Sequence, residues 1–235
     1  MKLYELAYAC RLYREVAQFD PAYHDMREAL GPNPDLASQA QRDSLMQFLN
    51  KWLCRIPETN FPELKQHLQR WAALWVPQLP DASRDIRSLN DSERVHIGKA
   101  YEELLKLGAG LHFQDTAAAK TLHALRSHTL PMWDAKIKDW FSTSGPSKGT
   151  AGQTYSAFLC HVAEQISELE VDVTRLGYSL NDVSQLVSSS GVSLVKLVDE
   201  YYWITITYGH RVPTSDELDQ WLRWNNRSAP TTAAQ

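Results

Sequence analysis

The segment KTLHALRSHTLPMWDAKIKDWF, residues 120–141, is the most informative stretch of this chain for chemistry. Asp134 follows Leu-Pro-Met-Trp and opens a run with helical spacing. A carboxylate at that place has two uses. It can cap the helix by accepting from the first free backbone N–H groups. It can also act in chemistry, because the partial positive charge of a helix N-terminus favours the ionised acid, which then stabilises a developing cation or takes a proton from water. Lys120 precedes it, Trp133 and Trp140 flank it, and His123 shares a helix face with Lys120 and Ser127 by spacing. Between His112 and Lys148 stand Lys120, Arg126, Lys136, Lys138 and Lys148 against Asp115, Asp134 and Asp139. That window is mildly basic in a chain whose net charge is −4. A basic patch on an acidic protein can still meet phosphates.

The elements that must position these groups read as helices almost throughout. Leu45, Phe48, Leu49, Trp52 and Leu53 recur at steps of three and four, as do Leu64, Leu68, Trp71 and Trp75. Asn90 lies three residues before Glu93 in a capping-box pattern. The helix it opens turns Ile97, Tyr101, Leu104 and Leu105 inward, and Gly108 is placed to end it. Further helices are expected at 2–18, 116–127, 134–142, 152–168, 179–188, 192–208 and 215–224. The stretch YYWITITYG is rich in strand-forming residues, but Leu194, Leu197, Val198, Tyr201 and Thr205 carry a helical stripe into it. The expected fold class is all-α: one domain over 1–225, of one or two lobes with a cleft near 108–141, and a loose tail at 226–235.

Composition excludes several classes. Apolar residues make up 43% and charged residues 22%, the balance of a chain that folds. No apolar run nears the roughly 20 residues of a membrane span, so no membrane partner and a cytoplasmic location are expected. Cys10, Cys54 and Cys160 are odd in number and widely spaced, and read as ordinary thiols. No Gly-x-Ser-x-Gly, Walker loop, Gly-x-Gly-x-x-Gly or His-Glu-x-x-His occurs. Neither a metal nor another cofactor is expected.

What remains is the run from Leu104 to Phe141, which reads helix, LGAGLHFQDTAAAK, helix, LPMWD, helix. This order resembles the helix-hairpin-helix DNA glycosylase superfamily, whose members pair a Gly-rich hairpin with a catalytic aspartate at the start of a later helix. The resemblance places Gly108 and Gly110 at the hairpin, Asp134 at the catalytic carboxylate, and Lys120 near the Schiff-base lysine of bifunctional members. It implies a two-lobed helical bundle and double-stranded DNA with a damaged or modified base as partner. It also implies hydrolysis of the N-glycosidic bond to leave an abasic site. Some bacterial relatives excise hypermodified cytosines from phage DNA, so antiviral defence is one setting for such an enzyme.

The chemistry asks for such residues. Breaking an N-glycosidic bond develops positive charge on the sugar, as in glycoside hydrolysis, and a nearby carboxylate stabilises it. The base must first leave the stack and enter a pocket, with Trp133 and Trp140 as its expected walls. Gly108, Gly110, His123, Lys136 and Lys148 are the expected DNA contacts, since glycine lets backbone N–H groups approach a phosphate closely. The alternative is a non-catalytic helical module that binds nucleic acid or protein, with Asp134 as a plain cap.

Overall fold

The computed structural model describes residues 1–144, 149–188 and 191–228. Lys148 and residues 229–235 of the expected tail lie outside them, while 226–228 belong to the last helix. The chain folds as α-helices α1 (Leu3–Val16), α2 (Pro21–Leu30), α3 (Gln39–Lys51), α4 (Phe61–Trp75), α5 (Asp91–Leu107), α6 (Asp115–Leu125), α7 (Ala135–Ser144), α8 (Ala151–Arg175), α9 (Val183–Val187), α10 (Leu194–Tyr202) and α11 (Ser215–Ser228). Short 3-10 turns join several of them, and no strand occurs among the described residues. No described helix is long and apolar enough to cross a membrane.

Local chemistry sets the helix starts. Asn90 accepts from the Glu93 N–H at 2.9 Å while the Glu93 carboxylate accepts from the Asn90 N–H, a reciprocal capping box. Thr150 and Gln153 repeat the device at α8. That helix runs on to Arg175, past the expected end, because Leu169 and Val173 continue its buried stripe. The expected helix at 179–188 divides into a 3-10 turn, Leu180–Asp182, and the short α9.

The tightest helix pairing joins α5 to α8. Gly98 meets Gly152 so closely that a Cβ on either would strike the other's carbonyl oxygen. This approach lets Tyr101 of α5 stack on Tyr155 of α8, ring centroids 4.5 Å apart. Trp133 caps that stack edge-on and also packs on Phe158. The loop carrying Leu-Pro-Met-Trp is thereby fixed to the core just ahead of Asp134. One contiguous apolar core runs from Leu6 to Tyr202, with a small satellite of Ala9, Tyr13, Ala17 and Ile204.

Candidate active site

A cleft of about 610 Å³ opens between the end of α3, the α5–α6 turn with the face of α6, the start of α7 and the end of α10. Its size suits a small ligand or a single extruded base. Lys120 and Asp134 both line it, and so do Trp52, Trp203, His112, Asp199 and Thr207.

Asp134 is held by both oxygens. Oδ1 accepts from the Ile137 N–H at 2.9 Å and so caps α7. Oδ2 accepts from the Thr207 hydroxyl at 2.6 Å. Thr207 reaches it because α10 does not end as an α-helix: Trp203–Thr207 form a π-helical turn. Such turns recur at functional sites because they re-aim side chains. Here the turn delivers Trp203 and Thr207 to the cleft together. The helical reading of YYWITITYG is therefore right in kind, and the π turn is what the local pattern could not show.

Lys120 is buried, and its Nζ donates to the Trp52 carbonyl at 2.6 Å. That carbonyl belongs to the turn that ends α3, where helix carbonyls lack intrahelical partners. The same ammonium lies 5.2 Å from the centroid of the Trp52 ring. The contact spans 68 residues of sequence. Lys120 thus stands at the wall of the cleft with one of its donors already satisfied.

Trp52 and Trp203 supply the aromatic surface. Each packs on Phe19, with centroids 5.2 and 5.5 Å away, and all three rings line the cleft. The walls expected from sequence stand differently. Trp133 is 1% exposed and serves the α5–α8 core, touching the cleft only as lining. Trp140 does not line it and packs on Phe141, His161 and Tyr202. Trp133 in its loop and Trp140 on α7 both turn towards the core, where large aromatic side chains bury most area.

The expected DNA contacts also sort into groups. Lys136 lies exposed at the cleft and donates to the Thr207 carbonyl at 2.9 Å. Gly110 adopts φ +81°, the left-handed conformation a tight turn needs, at the exposed tip between α5 and α6. Gly108 ends α5 and is buried against Phe113, which leaves no room for a Cβ, so packing explains it without a phosphate. His123 cannot touch DNA. It is fully buried, with Nε2 at 3.1 Å from the Tyr23 hydroxyl and Nδ1 at 2.7 Å from the Leu130 carbonyl. Burial pulls its pKa down to about 3, so it stays neutral.

Two features escaped the sequence reading. First, the non-glycine residues with left-handed φ among the described residues are Leu53, Arg55 and His112, at +65°, +53° and +58°, and all line this cleft. Each such residue costs on the order of 1–2 kcal/mol, and strain of this kind gathers at functional sites. Asn50 clamps the strained turn by donating to the Ile56 carbonyl and accepting from the Ile56 N–H. Leu53 is 65% exposed at its tip. Second, Asp199 of α10 lines the cleft, nearly buried, and no hydrogen bond reaches its carboxyl among the described residues. Burial pushes its pKa up to about 7, against the pull of Lys196 and Lys120. No spacing rule flags a strained turn or a lone aspartate on a helical stripe.

Neither a family model, a curated protein nor a solved structure matches this chain.

Proposed function

We propose that this protein is a DNA glycosylase of helix-hairpin-helix type, acting on a base turned out of the duplex into the cleft. One observation carries the reading. Asp134 and Lys120, singled out from sequence by order and residue type, sit on different elements and line one cleft whose aromatic surface suits a base. The α5–turn–α6 unit with Gly110 at its tip is the hairpin, and the cleft beside it separates the two halves of the bundle in this reading.

The flipped base enters between Trp52 and Trp203, where stacking on an indole contributes about 1–3 kcal/mol per base. Asp199 meets its edge and accepts N–H donors. A guanine-type edge offers two adjacent donors, a better match to a carboxylate than the single amino group of adenine or cytosine. Asp134, ionised at the start of α7, faces the sugar and stabilises the positive charge that builds as the C1′–N bond stretches. The bonding pair leaves with the base, which takes up a proton.

Lys120 offers a route onward from that cation. Once neutral and released from the Trp52 carbonyl, its amine adds to C1′ and loses a proton. The C1′–O4′ bond then opens, O4′ takes up a proton, and a Schiff base links the sugar to Nζ. Water in place of the amine gives a plain abasic site. The rim presents the apolar tip of Leu53, the cations of Arg55 and Lys136 and the imidazole of His112 to the bent backbone and the gap in the stack.

A second reading has its own support: both oxygens of Asp134 already serve structural bonds, as they would in a non-catalytic DNA-binding module. One experiment separates them. The protein is incubated with unmodified, oxidised, alkylated and phage-modified DNA, and released bases are identified by mass spectrometry. In parallel, abasic-site DNA is added with borohydride, which traps a lysine Schiff base as a stable adduct. Base release with an adduct lost in Lys120→Met supports the amine route, and base release without an adduct supports hydrolysis. Binding with neither product leaves the non-catalytic module.

A further inference from the structure

Beneath the Asp199 floor of the cleft lies a fully buried ammonium that the glycosylase mechanism does not use. Lys196, one turn before Glu200 on α10, is 0% exposed. Its Nζ lies 2.8 Å from Glu200, 3.4 Å from Asp20 at the start of α2, and 4.0 Å from Asp199. Aromatic faces close the cage: the rings of Tyr13, Tyr23 and Trp52 stand 4.4, 5.2 and 5.4 Å from the ammonium. Burying one cation with three carboxyl groups is costly, and a core of apolar residues would fold at least as well. The arrangement therefore asks for a purpose beyond stability.

We propose that Lys196 is a positioning residue of the cleft: from behind its floor the ammonium holds the Asp199 carboxyl in place and in the charged form that accepts N–H donors from a base. This rests on the glycosylase reading for what the carboxylate is used for, though not for the electrostatics. Among the described residues no hydrogen bond reaches the Asp199 carboxyl, so its state is set first by burial, which opposes the charge, and then by the charges around it. Lys196 and Glu200 face it from α10, Lys120 from α6, and Asp134 from the start of α7; the two lysines favour the carboxylate and the two acids oppose it. Asp20 and Tyr13 act on it through Lys196, to which they are bound. Trp52 joins the two sides, since its indole forms a wall of the cleft and meets both Lys196 and Lys120. The cage thus ties the charge of the floor to the place of the wall.

The test uses two variants that keep the buried volume filled. Glu200→Gln removes an opposing anion, and Lys196→Met with Glu200→Gln replaces the ion pair by a neutral one of similar size. The Asp199 carboxyl carbon is followed by NMR in ¹³C-aspartate protein, with its signal assigned from Asp199→Asn. Relative to wild type, its midpoint should fall in Glu200→Gln and rise by about one pH unit in the double variant. The acid limb of base release should move with it in both variants, giving a gain of up to about twofold at the pH of the original midpoint in Glu200→Gln and a loss of about fivefold there in the double variant. A purely structural role would not drive the two variants in opposite directions. A double-variant midpoint at or below that of wild type overturns the proposal. So does an acid limb that stays still while the carboxyl titration moves. If wild type releases no base from any DNA, the glycosylase reading falls, and the NMR midpoints alone then decide whether Lys196 sets the charge of Asp199.

Discussion

Asp134→Asn is the substitution whose structural and catalytic consequences separate most cleanly. The asparagine side-chain oxygen can still accept from the Ile137 N–H, and Asn ranks with Asp as a helix cap. Its amide can donate to the Thr207 hydroxyl oxygen where the carboxylate accepted from it, so a hydrogen bond between the two side chains is kept. What is lost is charge. The attraction between a carboxylate and the α7 N-terminus contributes about 0.3–1 kcal/mol. Replacing a charge-assisted hydrogen bond by a neutral one costs about 1 kcal/mol more. The total, about 1–2 kcal/mol, is small against the 5–15 kcal/mol that holds a typical domain together. Urea unfolding should therefore show a modest fall in midpoint and an unchanged slope. Base release should fall by about 10²–10⁴-fold, because the amide cannot stabilise the sugar cation or take a proton. Folded Asp134→Asn that still releases base within a few-fold of wild type would refute a catalytic role. The carboxylate would then be a cap and nothing more.

The same geometry sets three other outcomes. Trp203→Leu should weaken base release by about tenfold through lost stacking, while Schiff-base trapping on a preformed abasic site stays near wild type; equal losses in both would place Trp203 outside the base pocket. Arg55→Gly should raise stability by about 1 kcal/mol by relieving the left-handed backbone, seen as a thermal midpoint about 2–4 °C higher, yet weaken DNA binding and flatten its salt dependence; tighter or unchanged binding would remove Arg55 from the interface. His123, whose pKa drops from 6.5 to about 3 on folding, is neutral in the native state and gains a proton on unfolding below pH 6.5. Its contribution is complete above pH 6.5 and declines as the pH falls towards 3, by about 1.4 kcal/mol per unit. Denaturant titrations of wild type and His123→Gln across that range should converge as the pH drops, and parallel curves would show that the imidazole is not the group responsible.

Sequence by itself determined what depends on neighbours three and four residues away. The stripes of α3, α4, α5 and α8, the Asn90–Glu93 capping box and the start of α7 at Asp134 are local, and a helix is built from local hydrogen bonds. The order of glycine turn, lysine and aspartate was legible for the same reason. Periodicity tells which face of a helix is apolar, however, and not what will cover it. That is why sequence left Trp140 open to both readings, core and pocket wall, with core the commoner, and why His123 read as surface until Tyr23 and Leu130 closed over it. Only the tertiary structure decided that Trp52 and Trp203, far apart in the chain, would share Phe19 and line one cleft. It also brought Lys120 to the end of α3 and set Asp199 above a caged lysine. Those arrangements depend on where helices cross, and the side chains that fix a crossing come from segments with no sequence relation to one another.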